Sequence, residues 1–317
     1  MSDTVVVIGN FDGVHPGHEE VLRQAAALEP GVPVVVVTFW PHPWHVLRPE
    51  QAPVLLTSLE ERIELLRAAG ASRVEVVDFT PEFSKLTPEQ FIDQVVLPLH
   101  PRRVVVGENF RFGHRAAGDT ETLARLGEGR FEVTALSLVA VGDEETGSSR
   151  IREALAAGEV RHAAEHLGRP FRFTGVVVHG DHRGRELGFP TANLDVPNNR
   201  ACPADGVYAG WVRRLDGMDA HGRPLAPGQP AERWPAAVSV GTNPTFDGAS
   251  RRVEAYVLDR TDLELYGAQI AVDFCDRIRG QVKFDGVTAL IEQMRDDVSR
   301  VRDLLEETGY LIRNDLR

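Results

Sequence analysis

The chain has 317 residues and a formal net charge of −12, length enough for about two domains with their own cores and an acidic balance that argues against a broad nucleic-acid surface. No apolar run approaches bilayer-spanning length and the amino terminus enters a strand with no basic leader, so no membrane association is expected and the cytoplasm is the default location. Cys202 and Cys275 lack metal-like spacing and read as reduced and buried; only Lys85 and Lys283 among 35 basic residues are lysine, so anion sites must use Arg, His and backbone N–H groups, and no Gly-x4-Gly-Lys-Ser/Thr loop exists.

In chain order, the apolar run over residues 4–8 closes on Gly9 and is followed at once by a helical pattern, the entry unit of an α/β sheet buried on both faces. The loop Gly9-Asn10-Phe11-Asp12-Gly13-Val14-His15-Pro16-Gly17-His18 sits at the carboxyl end of that strand, where such sheets bind ligands. His15 and His18, spaced i, i+3, share a face of the first helical turn, where backbone N–H groups already favour anions. A partly buried or surface pair is the competing reading; the strand, glycines and Asp12 in order around them favour phosphate.

A second buried strand over 32–39 runs into Thr38-Phe39-Trp40-Pro41-His42-Pro43. The two prolines predict a stiff loop that holds His42 on the same edge, as a ligand or as an incidental turn residue. Residues 58–69 read as a helix capped by Ser58, with Glu61 three residues on and apolar positions at Leu59, Ile63 and Leu66. A short strand over 74–77, a helix over 88–96 and a buried strand over 103–106 follow, the last feeding Gly107-Glu108-Asn109-Phe110-Arg111-Phe112-Gly113. Residues 131–141 continue the alternation, which predicts an α/β doubly wound parallel sheet whose loops share one rim. Gly147-Ser148-Ser149 opens the next helix, ending near Gly158. Capping alone would explain the serines, whereas Arg152 in a first turn opposes the helix dipole unless an anion is bound.

A short helix over 159–167 ends at Gly168-Arg169-Pro170, marking a domain boundary near 168–172. Strand-like runs over 173–179, 206–215, 236–241, 251–259 and 269–278 then follow with no helix between them, which predicts an antiparallel sheet closed into a small β-barrel. Residues 217–235 read as a solvated connection, and one amphipathic helix over 287–307 ends the pattern. Between the first two runs, Gly180, Gly184 and Gly188 interleave with Arg183 and Arg185, so backbone N–H groups and guanidinium forks converge on an anion. A glycine-rich barrel corner is the competing reading for the glycines alone. Thr191 and Asn193, two apart after Pro190, point the same way from an extended segment. Oxygen ligands so arranged suit Mg²⁺, which takes the rest of its shell from water and phosphate.

His15-Pro16-Gly17-His18 resembles the His-x-Gly-His signature of the nucleotidyltransferase superfamily, a Rossmann-like fold. Together with residues 38–43, 107–113 and 148–152 it resembles the adenylyltransferase module of the prokaryotic bifunctional riboflavin kinase/FMN adenylyltransferases, or FAD synthetases. Gly188-Phe189-Pro190-Thr191-Ala192-Asn193, residues 238–245 and residues 252–256 resemble that family's riboflavin kinase module, so the likeness covers the whole chain. It implies an adenylyltransferase domain over 1–168, which makes FAD and pyrophosphate from FMN and ATP, and a kinase β-barrel over 173–317, which makes FMN from riboflavin and ATP.

Position by position, the resemblance implies that Gly9, Phe11, Asp12, His15 and His18 bind the ATP phosphates, with Ser148 and Arg152 holding them from the opposite helix end. His42, Asn109 and Arg111 fall in the nucleotide and flavin pocket. In the kinase module Gly180, Gly184, Arg185, Gly188, Pro190, Thr191 and Asn193 hold Mg-ATP, with Thr191 and Asn193 on the metal, and Asn243 and Tyr266 lie on the flavin side. Glu254 takes the proton from the terminal ribityl hydroxyl as it attacks the γ-phosphorus. The plain alternative for Glu254 is an ion pair with Arg252 on a solvated face, and for Tyr266 a packed turn. The chain departs from the family pattern at Trp40, where an acidic residue is common, at Glu264, where Asp is usual, and at Gly147 and Ser149, where the family has Ser and Thr. The implied partners are small molecules, ATP, riboflavin and FMN, with neither nucleic acid nor membrane, and a homo-oligomer is compatible with the pattern. A different nucleotidyltransferase fused to a flavin-binding barrel, and a flavin-sensing binding protein, are the rival readings.

Overall fold

The computed structural model describes residues 3–137, 147–180, 187–226, 228–245 and 248–307, with 243–250 described by backbone alone. The chain divides into two compact units, Met1–Ser148 and Ser149–Arg317.

In the first unit β1 (Thr4–Ile8), β2 (Val34–Trp40), β3 (Arg73–Asp78), β4 (Pro101–Gly107) and β5 (Glu132–Leu136) form a parallel sheet in the order β3-β2-β1-β4-β5. Side chains alternate across the sheet. Val5, Val7, Val34, Val36 and Val105 therefore enter one core layer, and Val6, Ile8, Val35, Val37, Val104 and Val106 the other. Burial on both faces is why these strands read as unbroken valine runs. The strand order reverses between β1 and β4, so the loops leaving those two strands flank the switch-point crevice where open α/β sheets take ligands. The part of the expected 131–141 run beyond 137 lies outside the described residues.

Among the helices of this unit, α1 is Pro16–Leu28, α2 is Pro43–Leu47 and α3 is Leu59–Ala68. Ser58 caps α3 as expected, its hydroxyl accepting from Glu61 N at 3.1 Å. The buried face of α3 differs from the apolar stripe: Leu66 is buried, but so are Glu61 and Arg62, while Leu59 and Ile63 are only half-buried. Arg62 is drawn inward by a buried carboxylate described below. Further on, α4 (Pro88–Phe91) begins in a capping box made by Thr87 and Gln90 and continues as a π-helical turn over Ile92–Val96, while α5 is Thr120–Gly127.

In the second unit α6 (Ser148–Ala157) and α7 (Val160–Leu167) precede the sheet. The division falls at Ser148, ahead of the boundary expected near 168–172, because both helices fasten to the barrel. Ala204 N donates to Leu155 O at 2.9 Å, Arg277 Nη1 to Ala157 O at 3.1 Å, and Arg161 pairs with Asp276. The strands β6 (Phe171–Val176), β7 (Ala192–Asp195), β8 (Gly206–Arg214), β9 (Trp234–Thr245), β10 (Gly248–Val257) and β11 (Gln269–Arg279) are antiparallel in the order β6-β11-β8-β9-β10-β7. A bridge between Val178 and Asn193 brings the two edges together, so the sheet is a nearly closed barrel. It holds one strand more than expected. The four residues of β7 are too short for a period-two pattern to be visible, although Leu194 is fully buried.

The last helix, α8 (Val287–Glu307), buries Asp297, Val301 and Leu305. Val301 and Leu305 pack with Val207, Trp211, Ala237 and Cys275 of the barrel. Burial pushes the Cys275 thiol up to about 12, as it does for Cys202, so neither is a thiolate at neutral pH. No helix among the described residues is long and apolar enough to cross a membrane. The polar anchor of α8 is Asp297, 3% exposed, which takes Arg279 Nη2 at 2.7 Å and Nε at 2.9 Å, with Gln293 Nε2 at 3.0 Å. Asp297→Ala strands the Arg279 guanidinium against the barrel and is expected to cost the second unit about 3–5 kcal/mol. Urea unfolding measures this, and a loss below about 1 kcal/mol would show that α8 is held by its apolar face alone.

Candidate functional site

The loop leaving β1 is shaped by backbone that turns left-handed at Phe11 (φ 50°), Gly13 (φ 89°) and Val14 (φ 39°). These turns drive the Phe11 ring inward, 5% exposed. It lies over Gly9, where an added Cβ would fall 2.9 Å from Phe11 Cζ. Gly9 is therefore small to admit that ring, and the Phe11 side chain packs into the core of this loop. Its edge rests on His18, ring centroids 5.1 Å apart. His15 is the N-cap residue of α1 and His18 stands in its first turn. Their rings stack at 3.7 Å with planes 23° apart. Two imidazoles are thus presented side by side at a helix N-terminus on the crevice rim, an arrangement that attracts phosphate.

Asp12, expected among the phosphate-binding residues, is held in a buried network. Its side chain is 3% exposed and that of Arg62 is 0% exposed, with Arg62 Nη2 3.2 Å from Asp12 Oδ1. The carboxylate also accepts from Leu56 N at 3.0 Å, Thr57 N at 3.2 Å and the Thr57 hydroxyl at 3.1 Å. Arg62 reaches on to Asn10 O at 3.0 Å and lies over the Trp40 ring at 5.4 Å. A carboxylate so engaged positions the loop and would repel a phosphate placed against it. Arg62 and Thr57 were missed from sequence. Arg62 does lie on the Leu59/Leu66 stripe of α3, and an arginine within an apolar stripe is a legible sign of a buried carboxylate partner.

Ser148 is brought to the same loop, and its hydroxyl donates to Asp12 O at 2.8 Å. Its proton is thus committed to the glycine turn. Because α6 begins at Ser148, Arg152 is its fifth residue, half-buried, and opens the second turn rather than the first. His42, 7% exposed, does not sit on a stiff loop. It is the N-cap of α2, its Nδ1 accepting from Trp44 N at 3.2 Å, because Pro43 at N1 suits a helix start. By the parallel topology His42, just past β2, and Asn109, just past β4, share the rim with the histidine pair. Asn109 is exposed. Arg111 is exposed as well and pairs with Asp119 at 3.6 Å.

The second unit holds a cavity of about 250 Å³. Its polar wall includes Thr191, Ser239, Glu254, Arg279 and Gln281, and Met294 and Val298 of α8 close it from outside the sheet. Glu254 on β10 stands opposite Asn193 on β7. Arg252 pairs with Asp195 at 3.5 Å. Asn193 is buried, and its Nδ2 donates to Thr191 O at 3.2 Å and Oγ1 at 3.4 Å. Gly180 permits this close approach, since a Cβ there would fall 2.6 Å from Asn193 Nδ2. Gly188 turns with φ 86° before Phe189, whose ring meets Tyr256 edge-on at 5.2 Å. Tyr266 is 50% exposed and stacks on His179 at 4.4 Å. It therefore flanks Gly180 rather than lining the cavity, one ring face already being covered. Gly184, Arg185 and the Asn243 side chain lie outside the described residues. Ser239, Gln281 and the α8 wall were not legible from sequence, because each reaches the cavity only through barrel closure.

The FAD synthetase family model matches residues 1–150 and the riboflavin kinase model residues 167–305. A bifunctional riboflavin kinase/FMN adenylyltransferase from Listeria monocytogenes is 36% identical over 94% of this chain and 91% of its own length. Its counterparts in Bacillus subtilis and Escherichia coli K12 are each 35% identical over 94% of the chain, covering 91% and 92% of theirs. A crystal structure described as a macrolide-efflux protein from Streptococcus pneumoniae shares the fold with TM-score 0.80 and 34% identity, over 95% of this chain and 94% of that one.

The Asp12–Arg62 pair yields a test. Arg62→Ala leaves a buried carboxylate without its cation and is expected to destabilise the first unit by about 3–5 kcal/mol in urea unfolding, with Arg62→Lys recovering part of the loss. A change within about 0.5 kcal/mol would remove the pair from the account of this loop.

Proposed function

The chain belongs to the bifunctional riboflavin kinase/FMN adenylyltransferase family, and on that premise we propose how its residues divide the two reactions between the two units. It phosphorylates riboflavin with ATP to FMN, and it adenylylates FMN with ATP to FAD and pyrophosphate. One observation carries the division of labour: each compact unit has a phosphate-ready site of its own, the stacked histidines in the first and the Thr191–Asn193–Glu254 group in the second.

We assign FMN adenylylation to residues 1–168. A phosphate oxygen of FMN attacks the α-phosphorus of ATP and pyrophosphate leaves. His15 and His18, at the N-terminus of α1, donate hydrogen bonds to the phosphates and stabilise the charge gathering there. Asp12, Arg62 and Ser148 act through the loop, holding those rings in register. His42, Asn109 and Arg111 border the flavin and adenine positions, Arg111 after release from Asp119.

We assign riboflavin phosphorylation to residues 173–317. The terminal ribityl oxygen attacks the γ-phosphorus and ADP leaves, while Glu254 orients the hydroxyl and accepts its proton. Gly180, Gly184, Arg185, Gly188 and Pro190 form the ATP loop, and Asn243 and Tyr266 belong to the flavin side. The donor set fits magnesium: Thr191 and Glu254 line the cavity, Asn193 stands opposite Glu254 on β7, and all three offer hard oxygen groups. Thr191 and Asn193 would hold the ion, which, when bound with ATP, neutralises phosphate charge. We also place the enzyme in the cytoplasm.

Two variants test the assignment by chromatography of riboflavin, ATP and Mg²⁺ with the pure protein. Glu254→Ala is expected to lower FMN formation at least about 100-fold while supplied FMN still becomes FAD; loss of both activities would show that the roles are wrongly divided. His15→Ala with His18→Ala is expected to do the reverse, so that FMN accumulates, and undiminished FAD output would remove both rings from the chemistry.

A further inference from the structure

Helix α7 carries a side-chain pair that neither reaction uses. His162 and His166 stand one turn apart, with their Nε2 atoms 3.3 Å from each other and their ring centroids at 4.6 Å. Glu165 Oε2 lies 3.2 Å from His162 Nδ1. A carboxylate there holds the proton on Nδ1, which leaves a lone pair on His162 Nε2 aimed at the second ring. Such a carboxylate–imidazole arrangement is the usual support for a metal-binding histidine.

The spacing admits two fillings of the gap. A hydrogen bond between the rings would ordinarily bring the nitrogens to roughly 2.7–3.2 Å. Two zinc–nitrogen bonds of about 2.0–2.1 Å at a tetrahedral angle put their nitrogens about 3.3–3.4 Å apart, which is the separation found. His166 is 8% exposed and so is held in place by packing, whereas the His162 side chain is 48% exposed and keeps the pair open to solvent.

We propose that His162 and His166 form a two-imidazole chelating site on α7 for a borderline divalent transition metal of the Zn²⁺ and Co²⁺ class. Among the described residues no group of three or more His, Cys, Asp and Glu side chains converges on a common point, so water completes the coordination and the metal exchanges freely. Nitrogen donors disfavour magnesium, which keeps this site chemically separate from the oxygen groups of the kinase cavity. Because α7 is fastened to β11 through Arg161 and Asp276, the chelate staples the helix turn that supports one edge of the barrel.

The test uses the full chain, stripped with chelator and kept in excess Mg²⁺, titrated with Zn²⁺ by calorimetry and with Co²⁺ by absorption. The chain has 11 histidines, so the result is read as a difference between variants. Wild type is expected to bind one equivalent more than His162→Ala, with the visible band of tetrahedral Co²⁺ present only in wild type. His166→Gln is expected to lose the same equivalent, and Glu165→Gln to weaken it about 10–100-fold. Both flavin activities are expected to remain in His162→Ala. Equal stoichiometry in wild type and His162→Ala, or an octahedral Co²⁺ spectrum unchanged between them, would overturn the proposal and leave the pair sharing a proton.

Discussion

Asp12 and Arg62 are both withdrawn from water, and the first unit is arranged so that this is tolerable. A buried ion pair does not by itself stabilise a fold, since desolvation offsets the Coulomb attraction unless every remaining lone pair and proton is met. Here they are met: the carboxylate takes two backbone N–H groups and a threonine hydroxyl besides the guanidinium, and the guanidinium spends its other protons on Asn10 O and Thr57. What this network supplies is register. It locks the turn after β1 to the strand end of residues 56–57 and to α3, so the stacked histidines cannot drift relative to the rim.

Trp40 makes sense within that network. The family pattern has an acidic residue where this chain places an indole, and the indole lies under the Arg62 guanidinium. A cation over an aromatic face is attracted by its quadrupole without adding a further buried charge. Glu61, beside Arg62 on α3, is itself buried, so an indole keeps this corner from gathering more anions.

The second unit reaches a comparable precision by strand register instead of an ion pair. The β7–β10 ladder sets Asn193 across from Glu254, and Gly180 is bare so that the Asn193 amide can come against it. The cavity that results is only half made by the sheet. Its outer wall is α8, whose seat depends on Asp297 meeting Arg279 at the end of β11, so a residue far along the chain shapes the space in front of Glu254. In both units glycine turns and polar side chains are fixed in place by packing and hydrogen bonds, and groups fixed in advance are the form in which electrostatic stabilisation is most effective.

Local periodicity determined a good deal. Valine runs announce strands buried on both faces, and the change from alternating helices to successive short strands after Gly168 marks the passage from a parallel sheet to a barrel. Ser58, Gly168 and the 287–307 stripe mark helix ends and faces, because caps and amphipathic repeats act within a turn or two of the chain. His15 and His18, and Thr191 and Asn193, stand out for the same reason, since their spacing along one segment suggests a shared ligand, whereas Glu254 was proposed only through the family resemblance. Only the tertiary structure decided which buried polar groups partner the motif residues. Asp12 and Arg62 are 50 positions apart, and Ser148 and Asp12 136; no local pattern encodes which buried polar group will find which partner. That choice is made when the core closes and each desolvated charge must be satisfied by whatever the fold has brought beside it.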